Sequence, residues 1–86
     1  MHFVYFLTSI RNGKCYVGVT EKEPAIRLEE HNEGANKWTR ENGPFVLSYF
    51  ERYACKKDAL DRETFYKSGF GRKIRDAILG VISKHK

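Results

Sequence analysis

The 86-residue sequence predicts an α+β domain with the element order β-β-α-β-α-α, and three observations carry that reading. Two runs of β-branched and aromatic residues flank Asn12-Gly13, the strongest short-range hairpin signal. A third run of the same kind, Phe45 to Tyr53, stands alone in the middle of the chain. After it, apolar residues recur at helical rather than strand spacing.

The elements follow in order. The hairpin strands are His2-Phe3-Val4-Tyr5-Phe6-Leu7 and Cys15-Tyr16-Val17-Gly18-Val19-Thr20. Thr20-x-x-Glu23 followed by Pro24 has the form of a helix start, and Gly34 that of a stop, so a first helix is expected near residues 23–33. Gly34 to Pro44 is polar and glycine-bearing and reads as a loop or short turn leading into the third strand. Lys56 to Lys67 reads as the second helix, Ser68-Gly69-Phe70-Gly71 as a break, and Arg72 to Ile82 as a third helix with an apolar stripe at Ile74, Ala77, Ile78, Val81 and Ile82.

At 41% hydrophobic and 14% aromatic, the chain has the apolar surface a folded core requires, and its length supports one domain over residues 1–86. Its formal charge is +5, unevenly spread: residues 1–34 carry −1 and residues 35–86 carry +6. A basic half favours a polyanionic partner, because each phosphate contact releases condensed counterions. Cys15 and Cys55 have neither the paired spacing of a zinc site nor the density of a disulfide scaffold, so both are expected as reduced, packed thiols. No signal-peptide pattern and no run of about 20 apolar residues is present, which points to a cytoplasmic protein without a membrane partner.

Strand alternation sorts the two tyrosines, which taken alone are more often ordinary strand residues than a site. A hairpin loop of even length pairs odd residues with even ones, which puts Phe3, Tyr5, Leu7, Tyr16 and Gly18 on one face and Val4, Phe6, Cys15, Val17 and Val19 on the other. The second face is apolar and should pack on helices. The tyrosine face should stay open, with Gly18 leaving space for a ligand. On the second helix, Ala59, Leu60 and Tyr66 form the apolar stripe, and Glu63 falls in its middle. A carboxylate there must be paired, protonated or bound to a cation: a hard metal fits, and so does an ion pair with Lys67 one turn away. Arg27 and His31 share one side of the first helix at i, i+4 spacing, a pair suited to a phosphate, although a solvated helix face is the more common outcome for such a pair in isolation.

Taken together and in this order, these residues resemble the GIY-YIG nuclease family. Phe3-Val4-Tyr5 stands where the family has Gly-Ile-Tyr, and Tyr16-Val17-Gly18 where it has Tyr-Ile-Gly. Arg27, His31 and Glu63 continue the match, and Lys67-Ser68-Gly69-Phe70-Gly71-Arg72 is similar to the segment that follows the glutamate helix in short, free-standing members. The resemblance implies a three-stranded antiparallel sheet flanked by helices and metal-dependent hydrolysis of a DNA phosphodiester, of the nicking or branch-trimming kind used in repair and recombination.

The roles that follow are those of the resemblance. Glu63 holds one Mg²⁺ or Mn²⁺, Arg27 balances charge on the phosphate, and Tyr16, with Tyr5 and His31 nearby, activates the attacking water. A free tyrosine is only ~0.1% ionised at neutral pH, so a phenolate costs about 4 kcal/mol unless cations or hydrogen bonds offset it. Two positions depart from the pattern: Phe3 replaces the first glycine, and Val19 stands where some relatives carry lysine. If that lysine assists the base, its absence makes activity slower or puts more weight on His31.

Lys37, Arg40, Lys67, Arg72, Lys73 and Arg75 are the candidates for phosphate contacts, with solvated surface charge as the default reading, and Trp38 either stacks on an exposed base or covers the core. So small a footprint gives mainly electrostatic affinity, which a homodimer or protein partner would have to extend for specificity. The competing function is a nucleic-acid-binding module, or a subunit of a repair assembly, that keeps the fold and does not cut.

Overall fold

The computed structural model describes residues 1–84. The elements are β1 (His2–Ser9), β2 (Cys15–Thr20), α1 (Pro24–Asn32), α2 (Lys37–Asn42), β3 (Phe45–Tyr53), α3 (Lys56–Lys67) and α4 (Gly69–Lys84). The three strands form one antiparallel sheet in the order β2-β1-β3, so β1 is central and β2 has a free outer edge.

The hairpin register is the one that even loop length requires. Tyr5 pairs with Gly18 and Leu7 with Tyr16, while Phe6 pairs with Val17 and Val4 with Val19. Helices cover both faces. Val4, Phe6 and Val17 pack with Ala59 and Tyr66 of α3 and with Ile74, Ile78 and Leu79 of α4. Tyr5, Leu7 and Phe45 pack with Leu28 of α1, Trp38 of α2 and Leu47.

A bulge in β3 decides which of its residues join which layer. Leu7 pairs with Leu47 but Phe6 with Tyr49, leaving Ser48 as the extra residue. Odd residues therefore change sides at Ser48. Phe45 and Leu47 join the Tyr5 layer, whereas Tyr49 and Glu51 share the α3 side with Phe6 and Val4.

Several local expectations are corrected. Thr20 does not cap α1: its Oγ1 accepts from the Lys22 N–H, and α1 begins at Pro24 without a side-chain cap. Gly34, at φ +90°, does close that helix in the left-handed conformation that favours glycine. The segment read as a loop holds α2, because the Asn36 side chain accepts from the Thr39 N–H and Thr39 Oγ1 accepts from the Asn36 N–H, a reciprocal cap that nucleates a six-residue helix. The break before α4 shrinks to Ser68, whose Oγ donates to the Phe65 carbonyl and accepts from the Gly71 N–H. Gly69 and Gly71 thus begin α4 instead of interrupting it. The stripe of α4 packs only in part: Ile74, Ile78 and Leu79 meet the core, but Ala77 faces solvent and Val81 is 56% exposed. Cys15 is half-buried as a thiol of the core rim, whereas Cys55 is exposed at the start of α3, a position with no layer above it to bury a thiol.

Candidate active site

Tyr5 comes from the central strand and is 1% exposed. Its hydroxyl lies 2.9 Å from Nε2 of His31, itself wholly buried on α1. The same Nε2 lies 3.1 Å from Nη2 of Arg27, one turn back along the helix. A guanidinium only donates, so Nε2 accepts, and the imidazole is the neutral tautomer with its proton on Nδ1. Burial and then the Arg27 charge hold the His31 pKa below its ordinary value, in agreement with that neutral state. Burial likewise pushes the Tyr5 hydroxyl up to about 12. Tyr5 is therefore a neutral phenol at any physiological pH.

The space above Gly18 is not open to a ligand. A Cβ there would stand 2.5 Å from the Tyr5 hydroxyl oxygen and 2.6 Å from its Cζ, because the Tyr5 ring crosses to its strand neighbour and fills the gap. The missing side chain accommodates Tyr5, and α1 closes the face that the alternation pattern left open.

Tyr16 lies outside that buried pair. Its ring is 4.8 Å from the His31 ring and 5.6 Å from Trp38, and it is half-buried where Tyr5 is sealed. Trp38 stacks on Phe45 with its other neighbour Tyr16 at the rim, so it does cover the core, and it also lines a cleft of about 310 Å³. Tyr16, Lys67, Arg72 and Arg75 line the same cleft. Arg75 reaches across to β2: its charge opposes the burial that pushes the Cys15 thiol up to about 11.

Arg27 is three-quarters buried and divides its donors, with Nη1 3.0 Å from Glu30 Oε1 and Nη2 on His31. Glu30 also takes Lys22 at 2.7 Å. This chain fixes the guanidinium between a carboxylate and the Tyr5–His31 pair.

Glu63 sits on the inward line of α3 between Ala59 and Tyr66, and its side chain is 22% exposed. Leu60, expected in the stripe, is 40% exposed because it lies to the outer side of that line. Lys67 Nζ is 3.3 Å from Glu63 Oε2. Glu63 lines a pocket at the end of β2 with Val19, Thr20, Glu21 and Lys56, apart from the cleft that Tyr16 lines. As a hard oxygen donor, half-open and paired through one oxygen only, Glu63 fits a Mg²⁺ or Mn²⁺ ion. No three His, Cys, Asp or Glu side chains converge as a metal cluster among the described residues, so the ion would take its remaining ligands from water and substrate.

The other candidate cations separate into two groups. Lys67, Arg72 and Arg75 meet at the cleft, with Arg75 also 3.2 Å from Asp76. Lys37, Arg40 and Lys73 are exposed elsewhere: Lys37 lies 3.9 Å from Glu41, Arg40 caps the Gly34 carbonyl at 3.1 Å, and Lys73 projects from α4.

Two polar clusters escaped sequence reasoning. Asn32 Oδ1 accepts from the Phe45 N–H and its Nδ2 donates to the Phe45 carbonyl, locking the end of α1 to the start of β3. Glu51 accepts from the hydroxyls of Tyr49 at 2.7 Å, Tyr53 at 2.6 Å and Tyr66, and from Arg62 Nε at 3.1 Å. Burial works against its ionisation, but these four donors outweigh it and hold the carboxyl below its ordinary range. The signal was present as Tyr49-x-Glu51-x-Tyr53, three polar-tipped residues on one face of a strand.

A small sheet with helices on both faces brings two tyrosines, an arginine and a histidine together on the face that α1 covers. The chain belongs to the GIY-YIG family: residues 1–75 match the model of the GIY-YIG catalytic domain. A UPF0213 protein of Bacillus licheniformis is 37% identical over 67 residues, covering 77% of this chain and 67% of the relative. A UPF0213 protein of Streptococcus agalactiae is 33% identical over 82 residues, covering 94% of this chain and 88% of that one. The solution NMR structure of a UPF0213 protein from Bacillus halodurans superposes with a TM-score of 0.53 at 29% identity, over 90% of this chain and 83% of that chain. No helix among the described residues is long and apolar enough to cross a membrane.

Proposed function

We propose that the chain is a divalent-metal-dependent endonuclease that hydrolyses phosphodiester bonds in DNA, with Tyr16 as the general base. The observation that carries the reading is the division of labour between the tyrosines: Tyr5 is buried and bonded to His31, while Tyr16 stands at the rim against the same imidazole and opens on a cationic cleft.

In this reading Tyr16 takes the proton of the attacking water, from a half-buried position at the rim that water can reach. Tyr5 and His31 do not touch water. They hold Arg27 by its Nη2, so that the guanidinium is fixed before substrate arrives and stabilises charge on the non-bridging oxygens without reorganising. Glu63 would hold the Mg²⁺ or Mn²⁺, which supplies Lewis-acid stabilisation of the leaving oxygen. Until then Lys67 neutralises that carboxylate. Nicking or branch trimming in repair or recombination is the process such an activity serves.

The test is incubation of the purified protein with plasmid and branched DNA in Mg²⁺ or Mn²⁺, beside the Tyr16→Phe variant. Cleavage that Tyr16→Phe removes is expected. Inertness of the native protein in both metals overturns the nuclease reading, and full activity of the variant overturns the choice of base.

A further inference from the structure

The cleft beside Tyr16 runs over the free edge of β2 and has two unlike walls. Tyr16 and Trp38 come from the side of the sheet covered by α1 and α2, whereas Lys67, Arg72 and Arg75 come from α3 and α4 on the other side. Among the described residues, no carboxylate lines it. Its outer cations are not equally engaged: Lys67 pairs with Glu63 and Arg75 with Asp76, but Arg72 has no carboxylate within ion-pair distance among the described residues. Such a cleft asks for a ligand with an anionic end and a flat apolar end. A single nucleotide has both.

We infer that this cleft seats one unpaired nucleotide next to the bond that is cut, its base against Tyr16 and Trp38 and its phosphate against Arg72 and Arg75. The inference rests on the nuclease reading and narrows its substrate to DNA with a single-stranded segment at the cutting site. Size favours it, since about 310 Å³ lies at the low end of the range for sites that hold one small-molecule-sized group. Stacking favours it too. A base inside a duplex has both faces covered by its neighbours, so only an unpaired base has a face to give an aromatic wall. The shared residue is Tyr16: as a wall of the seat and the proposed base, it puts the seated nucleotide directly beside the scissile phosphate.

Trp38 is the sole tryptophan of the chain, so its fluorescence reports from this cleft alone. The experiment titrates the full-length protein, in chelator to prevent cutting, with a short single-stranded oligodeoxynucleotide and with a blunt hairpin duplex of the same composition. The single strand is expected to quench Trp38 at a concentration about tenfold or more below the duplex. The Arg72→Ala/Arg75→Ala double variant is expected to weaken single-strand binding about tenfold and to flatten its salt dependence. With 2-aminopurine in the oligonucleotide as a second reporter, Trp38→Phe is expected to reduce the single-strand preference. Equal quenching by both DNAs, or preference for the duplex, overturns the seat.

A parallel cleavage assay in Mn²⁺ keeps the two readings apart. Single-strand preference without cleavage leaves the seat standing and removes the nuclease. Cleavage without that preference does the reverse.

Discussion

Tyr5 and Gly18 face each other across β1 and β2, and a Cβ on Gly18 would meet the tyrosine hydroxyl at 2.5 Å. The second motif of the family thereby supports the first mechanically. Gly18 lets the Tyr5 ring lie flat across the sheet, where its hydroxyl reaches His31, and His31 in turn holds Arg27.

Gly18→Ala is accordingly expected to act at a distance from its own methyl group. The Tyr5 ring is sealed on all sides, so it must swing out of place and lose His31, at a cost of about 1–3 kcal/mol of the kind seen when cores are overpacked. Thermal unfolding measures that cost. Cleavage should fall further than stability does, because the Arg27 anchor goes with it; a variant with native stability and native cleavage would refute the relay.

Glu63→Gln separates chemistry from folding. Its pair with Lys67 is open to water on the lysine side, and such pairs contribute about 0–1 kcal/mol. The variant should therefore unfold within about 1 kcal/mol of the native protein while cleavage drops by about 10² or more. Retained cleavage at any metal concentration would remove Glu63 as the metal ligand.

Acid should weaken the fold in two stages. Both His31 and Glu51 have pKa values lowered by folding, so the unfolded chain binds more protons in each window, and stability present above the unfolded pKa is lost as pH falls. His31 acts first, below its ordinary value of 6.5, and Glu51 later, below 4.5. Denaturant titrations from pH 8 downward should show a first loss that His31→Gln abolishes. If that variant keeps the same slope between about pH 6.5 and 5, the neutral buried imidazole is wrong.

At the far side of the sheet, Glu51→Ala leaves Arg62 and three tyrosine hydroxyls without their shared acceptor. Removing one member of a largely buried charged network costs about 3–5 kcal/mol, and the partly exposed Arg62 argues for the lower end. Equilibrium urea unfolding gives the number directly. Below the melting transition the variant should still cut DNA, since Glu51 lies across the sheet from Tyr16.

The legible part of this protein was what depends on residues close in sequence. Asn12-Gly13 and strand alternation determined the hairpin faces, so the placement of Tyr5 with Tyr16 and of Val4 with Val17 needed no tertiary information. The spacing of Ala59, Glu63 and Tyr66 put a carboxylate on the inward line of α3 for the same reason. Even β3 and α3 were bounded correctly by composition alone.

What only the tertiary structure decided was where those faces meet other elements. Gly18 looked like an opening because a sequence shows a missing side chain but not the neighbour that fills it, and here the neighbour is Tyr5 on another strand. The bulge at Ser48 reverses the facing of half of β3, and with it sends Glu51 to Tyr66 and Phe45 to Trp38, a shift that no alternation rule registers. The sequence determined the members of the proposed site and which side of each element they occupy. Their division into a buried anchor, Tyr5 with His31, and an accessible Tyr16 on a cationic cleft came from packing, because burial is set by what lies above a residue and not by what lies beside it in the chain.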